Sequence, residues 1–326
     1  MIDKDSRMRR LQFTVLLAVL GACLLNSPGA FAWGCEGHQA IALIAKQNLN
    51  PHALAKVTQI LHDNPIDPSI QRYCQPVATD PMEDAATWAD DYRSTHPNTA
   101  GWHFIDIPRG AAKNTYVCDT AESCITLALA AQTKILQTPG ADPVDQANAL
   151  RFIIHFAGDI HQPLHCTTNN DRGGNCVPVT FFGQAPKETN STAESYSLNL
   201  HGIWDAQLVE RIATGKTVDE FAAALNAKYQ PRFAAWQAAG VNFDEWAWES
   251  HEDAEAATYG RLSKKIPIET PVPVSSCADA NHVSTRMLKK NEKVAASYQA
   301  HVTPTIHEQL AKAGYRLAMI LNQIWP

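Results

Sequence analysis

Three features are scarce in this 326-residue chain, and each scarcity removes a class of answer. Excess positive charge is missing: 27 Lys and Arg face 33 Asp and Glu, for a formal charge of −6. A chain of that balance has no electrostatic footprint for gripping duplex DNA through its phosphates. Long apolar runs are missing beyond residues 11–25, and that run is too short for a comfortable bilayer span. Paired thiols are missing too, since none of the eight cysteines forms a Cys-x-x-Cys pair. Any metal site is therefore expected to use nitrogen and oxygen ligands. Internal repeats and clean linkers are also absent.

What is present begins with an export signal. Arg7, Arg9 and Arg10 precede the apolar run, and Ala30-Phe31-Ala32 offers a small-x-small cleavage site. Residues 1–32 are thus expected to be removed, leaving 33–326 as one domain in a secreted or periplasmic protein. That cut takes away four cations and two anions and moves the charge from −6 to −8. A competing signal is Leu20-Gly-Ala-Cys23, which resembles a lipoprotein processing site and would put a lipid on Cys23. In an exported chain the seven remaining cysteines favour disulfides. Cys118–Cys124 and Cys166–Cys176 are the plausible local bridges, with an odd thiol left over. Asn190-Ser-Thr is a glycosylation sequon.

From Trp33 onward the pattern is almost wholly helical, and an all-α single domain is expected. Helices are predicted over 38–49, from Pro51 onward, and over 83–93, 119–137 and 198–214. Thr217-x-x-Glu220 reads as a capping box for the next helix. Further helices are predicted over 231–239, 243–262, 284–301 and 304–324. A strand-like run covers 177–182.

The chemistry concentrates in residues 151–165. Asp142-Pro143 supplies a cap and a first-turn proline for a helix that carries His155 and Asp159 four apart on one face. Pro163 ends it and aims His165 from a new direction. An ionised Asp in so apolar a setting is costly unless it is paired or binds metal, which points to zinc. A second His-x-x-x-Asp lies at His201 and Asp205, beside apolar Leu200, Ile203 and Trp204. Asp90 and Arg93 stand one helical turn apart in Ala86-Thr-Trp-Ala-Asp-Asp-Tyr-Arg93. His103 sits in the apolar run Gly101-Trp-His-Phe-Ile-Asp-Ile-Pro108, where a lone histidine is more often a satisfied core residue than a ligand. After cleavage, the Trp33 amine and carbonyl would form a small chelate ring near His38, because an α-amine has a pKa near 8. Spacing alone does not partition these groups among ions.

Taken in order, Trp33-Gly-Cys-Glu-Gly-His38, Trp88-Ala-Asp-Asp-Tyr-Arg93, Trp102-His-Phe-Ile-Asp-Ile-Pro108, residues 155–165 and Asn199-Leu-His-Gly-Ile-Trp-Asp205 resemble the three-zinc single-strand-specific nucleases. The bacterial zinc phospholipases C are their relatives. The resemblance covers Trp33 to Asp205; residues 206–326 carry no signature. It implies a multi-helix bundle with a tri-zinc cleft. One zinc would take Asp90, His103, His155 and Asp159. A second would take the Trp33 amine and carbonyl, His38 and the shared Asp159, and a third His165, His201 and Asp205. Lipidation at Cys23 would abolish the free Trp33 amine and is disfavoured for that reason. His161 is not a ligand in the family.

The resemblance further implies a zinc-held hydroxide as nucleophile, with the pKa of bound water lowered to about 7. Arg93 would stabilise charge on the phosphate oxygens. Phe104 would stack the base, Asp106 would bond its edge, and Arg172, Gly173, Gly174 and Asn175 would close the pocket. Fungal members have an apolar residue where this chain has Arg172. The expected enzyme hydrolyses single-stranded DNA and RNA to 5′-phosphorylated products and acts on 3′-nucleotides. It would work as a monomer without a stable protein partner. The alternatives are a zinc phospholipase C, which would need an apolar lip for lipid, and a non-enzymatic zinc-binding protein, which would need no Arg93.

Overall fold

The structure, a computed structural model, describes residues 33–113, 115–116, 118, 124–192, 194–279 and 293–326. The export signal and Cys23 lie outside the described residues, as do the first residues expected in the 119–137 helix.

The fold is built on the helix that carries His155. Asp142 accepts hydrogen bonds from the backbone N–H groups of Val144 (2.8 Å) and Asp145 (3.3 Å), and Pro143 takes the first turn. In chain order the helices are α1 (Gly34–Asn48), α2 (Pro51–Asp63), α3 (Pro81–Ala86), α4 (Trp88–Arg93), α5 (Ile125–Gln137) and α6 (Pro143–Asp159). From Ala149 to Asp159 every residue of α6 is buried, so it is a central helix rather than a surface one with a single apolar stripe. It stops at Asp159 because the nitrogen of Pro163 has no hydrogen to give the Asp159 carbonyl. The chain then makes a 3-10 turn over Pro163–Cys166.

Leu200–Gly202, Ile203–Gln207 and Leu208–Ala213 follow as one helix, α7, with a π turn in its middle. Then come α8 (Val218–Tyr229), α9 (Phe233–Ala238), α10 (Phe243–Asp253) and the long α11 (Ala296–Ile324). The capping box of α8 is formed as predicted: Thr217 accepts from Glu220 N, and Glu220 accepts from Thr217 N. Helix α11 crosses α1 closely, and a Cβ added to Gly314 would lie 2.5 Å from Ile44 Cγ2. The all-α single domain is confirmed, with short strands as trim.

Several local expectations are corrected. The 83–93 helix is broken at Thr87 into α3 and α4. The 177–182 strand shrinks to β1 (Thr180–Phe181). It pairs in parallel with Lys293–Val294, in the middle of the 284–301 stretch expected to be helical, of which residues 284–292 lie outside the described residues. Strands β2 (Glu188–Asn190) and β3 (Ser195–Tyr196) form a small antiparallel pair, and Lys293–Val294 is β4. Pro304 does not divide two helices but lies inside α11, where burial of Val302, Ile306 and Leu310 outweighs the lost backbone hydrogen bond.

Cys118–Cys124 is bridged as expected. Cys166–Cys176 is not: Cys176 bonds Cys277, and Cys35 bonds Cys74. Cys166 is the free thiol among the described residues. It is fully buried, with Sγ 3.4 Å from the Ile160 carbonyl, so it faces the core rather than the loop ahead.

Candidate metal centre

Helix α6 brings His155 Nε2 to 3.2 Å from Asp159 Oδ2. The break between α3 and α4 completes this geometry. It leaves the Ala86 carbonyl without a helical partner, and His155 Nδ1 lies 2.7 Å from it. The re-aimed α4 then sets Asp90 Oδ2 3.8 Å from His155 Nε2 and Asp90 Oδ1 3.7 Å from His103 Nδ1. His103 ends a 3-10 turn over Pro97–His103, with Nδ1 2.9 Å from Asp159 Oδ2 and 3.2 Å from His155 Nε2.

His38, on α1, approaches the other oxygen of Asp159, Oδ1, at 3.2 Å. Its ring stacks on that of His155 at 4.1 Å. This approach requires Gly158, because a Cβ there would sit 2.7 Å from the His38 ring. Trp33 is locked beside it, its indole N–H donating to the Gly158 carbonyl at 2.9 Å and its own carbonyl accepting from Gly37 N at 3.0 Å.

A second set gathers His165, His201 and Asp205. The Nε2 atoms of His165 and His201 are 3.1 Å apart. Asp205 lies 3.2 Å from His201 Nε2 and 3.9 Å from His165 Nε2. His201 stands just before the π turn of α7 and Asp205 within it, and Leu208 N there reaches back to Ile203 O. Such turns in helices frequently mark functional sites. Gln162, which sequence reasoning passed over, donates its amide to Asp205.

The imidazoles are held in one tautomer from behind. The Nδ1 atoms of His155, His165 and His201 face the carbonyls of Ala86 (2.7 Å), His103 (2.7 Å) and Gly173 (2.8 Å). A carbonyl only accepts, so each of these Nδ1 atoms carries a proton, and at His165 and His201 that leaves Nε2 with a lone pair turned inward. Burial lowers the pKa of His165 to about 4, and burial with the neighbouring His165 lowers that of His201 to about 3. Both are therefore neutral, ligand-ready imidazoles. Burial pushes the Asp205 carboxyl well up, and it lowers His38 and His103. Against the same desolvation, the His155 charge, hydrogen bonding from His103 and His155, and the close approach of His38 hold Asp159 well below the usual carboxylate range. Asp159 and Asp90 in turn raise His155 to about 9.

The fit to a metal is tested by what these groups lack. His38 Nδ1 and Nε2, Asp90 Oδ1, His103 Nε2, Asp159 Oδ1 and Asp205 Oδ2 are buried without a hydrogen-bond partner. Each such orphan costs about 1–3 kcal/mol. Tetrahedral zinc with bonds of about 2.0–2.1 Å sets its ligand atoms about 3.3 Å apart. The contacts here run from 2.9 to 3.9 Å, and three His/Asp triads keep their donor atoms within 4.8 Å of one another. The donor set suits zinc.

Arg93 lies between the two sets. Its guanidinium is 3.3 Å from Asp90 Oδ1, it is 24% exposed, and its charge acts on both His201 and Asp205. Residues 104–108 run beside 165–168, joined by Ile105 N to His165 O (2.8 Å) and Thr168 N to Ile107 O (2.9 Å), with a tight turn at Asp106 closed by Ile107 N to Ile105 O (3.0 Å). His103, Ile105 and Ile107 point inward while Phe104 and Asp106 face solvent together. Asp106 is accessible but sits in a concavity, where desolvation and nearby Asp171 lift its pKa to about 6 against the pull of Arg172. Arg172 is exposed, Gly173 and Gly174 are buried, and Asn175 Nδ2 donates to the Arg172 carbonyl at 2.9 Å. His161 belongs elsewhere: its Nδ1 faces the Ala157 carbonyl and its Nε2 accepts from Arg316 at 3.0 Å.

A family model described as S1/P1 Nuclease matches residues 33–326. Nuclease S1 of Aspergillus oryzae (strain ATCC 42149 / RIB 40) is 28% identical over 326 residues, covering 95% of this chain and 97% of the relative. Nuclease P1 of Penicillium citrinum is 26% identical over 311 residues, covering 90% and 97%. Endonuclease 1 of Arabidopsis thaliana is 25% identical over 326 residues, covering 96% and 93%.

Proposed function

This chain belongs to the S1/P1 nuclease family and is a zinc-dependent hydrolase of phosphodiester bonds, and we propose that it cuts unpaired DNA and RNA at a three-zinc cleft. The observation that carries this reading is the division of Asp159. One oxygen faces His103 and His155, the other faces His38, and a separate triad of His165, His201 and Asp205 lies alongside. Asp159 would bridge two ions. Asp90, His103 and His155 would complete one, and His38 with the Trp33 amine and carbonyl would complete the other. The triad would hold the third.

Bound zinc supplies a water whose pKa is lowered to about 7 and Lewis-acid stabilisation of phosphate oxygens. The remaining work falls to side chains. Arg93, reaching both sets, places a cation where the non-bridging oxygens gain charge. Phe104, 40% exposed, offers a stacking face worth about 1–3 kcal/mol per base, and Asp106 beside it accepts from a base edge. Base faces are hidden in a duplex, so this pair favours single strands. Arg172 and Asn175, with the Gly173-Gly174 backbone, would close the pocket. The products would be 5′-phosphorylated, with 3′-nucleotides also hydrolysed.

The family assignment leaves no place for a zinc-storage protein. The polar, outward pair of Phe104 and Asp106 favours nucleotides over the lipid of the phospholipase alternative. We place the protein outside the cytoplasm, with residues 1–32 removed and Trp33 as the mature terminus; among the described residues no helix is long and apolar enough to cross a membrane. The test is metal analysis coupled to cleavage of single-stranded DNA. Three zinc ions per chain are expected, with Asp159→Asn losing two of them and its activity. An Asp159→Asn variant that keeps three zinc ions and cuts normally would overturn the reading.

A further inference from the structure

The loop after His165 is held by a part of the chain that carries no motif. Asn169 and Asn170 use their side-chain amides as two-pronged backbone mimics. Asn169 Nδ2 donates to the Pro267 carbonyl (3.0 Å) while Oδ1 accepts from Glu269 N (3.0 Å). Asn170 does the same with the Thr270 carbonyl (2.7 Å) and Val272 N (3.0 Å). The Cys176–Cys277 disulfide fastens the far end of the loop to the same segment.

Between these ties lies Asp171, fully buried. Its Oδ1 accepts from Asn169 N and Gly174 N, each at 3.1 Å. The Tyr259 hydroxyl donates to this carboxylate, lying 2.8 and 3.1 Å from its two oxygens. Tyr259 is only 3% exposed. Arg109 covers its ring at 4.4 Å from the centroid, and Glu255 grips that guanidinium through two contacts of 3.0 Å. The turn so fixed is one that side chains resist: Asn170, Arg172, Gly173 and Gly174 have φ of 60°, 55°, 60° and 84°. It ends on His201, whose Nδ1 donates to the Gly173 carbonyl at 2.8 Å and whose backbone N–H reaches the Gly174 carbonyl at 3.3 Å.

We infer that Tyr259 and Asp171 form a positioning element for His201, setting the Gly173 carbonyl that keeps the imidazole turned towards His165 and Asp205. This rests on the reading of that triad as a zinc site. Tyr259 touches neither ligand nor substrate and acts through the turn. Without its hydroxyl, a buried carboxylate loses a donor, and the turn relaxes to recover one. Groups that orient a ligand in this way typically account for 10–100-fold in metal affinity.

The test titrates the holoenzyme with a chelator, counts zinc released, and records Tm on the same samples. Tyr259→Phe is expected to release one zinc at about tenfold lower chelator than wild type, with the other ions unmoved and Tm within a few degrees. Asp171→Asn keeps the shape, is expected to shift the same ion, and decides the matter if Tyr259→Phe fails to accumulate. A wild-type release profile from the variants overturns the inference. So does loss of all zinc in one step together with a fallen Tm, which would mark a purely structural role. His201→Ala is the control for the underlying reading: if it removes no zinc, the triad holds none and that reading fails instead.

Discussion

Gly158→Ala sets two effects of opposite sign against each other in the last turn of α6. By helix propensity alone the change is favourable by about 1 kcal/mol. The structure opposes it, because the new Cβ would lie 2.7 Å from Cε1 and Nδ1 of His38, whereas ordinary contact begins at 3.4 Å. The ring or α1 must retreat by about 0.7 Å. His38 is fully enclosed and stacked on His155, so it has no empty space to swing into. Overpacking of this kind costs about 1–3 kcal/mol, leaving a net loss of about 0–2 kcal/mol and a Tm lower by a few degrees at most. The effect on the site is larger than the effect on stability. A shift of this size carries His38 Nε2 away from the Asp159 oxygen it now meets at 3.2 Å, and misplaced ligands lose about 10–100-fold in metal affinity. Zinc per chain after dialysis against a mild chelator, measured beside single-strand cleavage, is expected to show one ion lost and activity reduced at least tenfold. Full zinc, wild-type cleavage and a raised Tm would show that propensity had won and that His38 is not held as described.

Gly314→Ala, by contrast, is expected to lower Tm by several degrees with zinc content unchanged, since its Cβ meets Ile44 most closely, where α11 crosses α1 nearly two turns beyond His38; calorimetry on the loaded protein checks this. Arg93→Ala is expected to retain all zinc yet lose about 10²–10³-fold in kcat, the usual cost of removing one oxyanion donor, and steady-state kinetics with metal analysis would show it. Asp106, with its pKa lifted to about 6, should lose its acceptor as pH falls through that value, so KM for single strands rises below about pH 6 and Asp106→Asn flattens the profile. The stability sign is the opposite. A carboxyl whose pKa is raised on folding is a burden when ionised, so Asp106→Asn should raise Tm above pH 6, with the gain fading as pH falls towards 4.

Local signals were legible wherever the partners lie within one turn of each other. Asp142 and Thr217 cap the helices their spacing announced, and His155 with Asp159 and His201 with Asp205 do share helix faces. What failed was decided at long range. The break at Thr87 makes sense only once the Ala86 carbonyl is seen meeting His155, 69 residues away. Cys176 looked for a partner ten residues back and found Cys277 instead, 101 residues ahead. Pro304 read as a terminator because its missing N–H is a local fact, while the burial that carries α11 through it is tertiary. The π turn that carries Asp205 is likewise invisible in a spacing of four. Tyr259 and Asn169 left no signal at all, since ordinary residues far apart in sequence acquire a role only by meeting.

Charge supplies the remaining step, because an acidic chain must still hold a polyanion. The mature protein would carry −8, and its site adds the carboxylates of Asp90, Asp159 and Asp205 at the point where a phosphate must arrive. Arg93 and protonated His155 are the cations beside these carboxylates, and they do no more than offset them. Three divalent ions would make the cleft positive while the rest of the chain keeps its acidic balance. Affinity for single strands should therefore depend on loading, and phosphate contacts should be few and concentrated. The expectation is measurable without turnover by using a phosphorothioate oligonucleotide. The metal-free protein should bind at least a hundredfold more weakly than the zinc-loaded form. The loaded form should show a shallow salt dependence, with about one to three phosphates neutralised rather than the six to ten of a basic groove. Equal binding with and without zinc, or a steep salt slope, would mean that a cationic surface elsewhere holds the strand and that the cleft only cuts it.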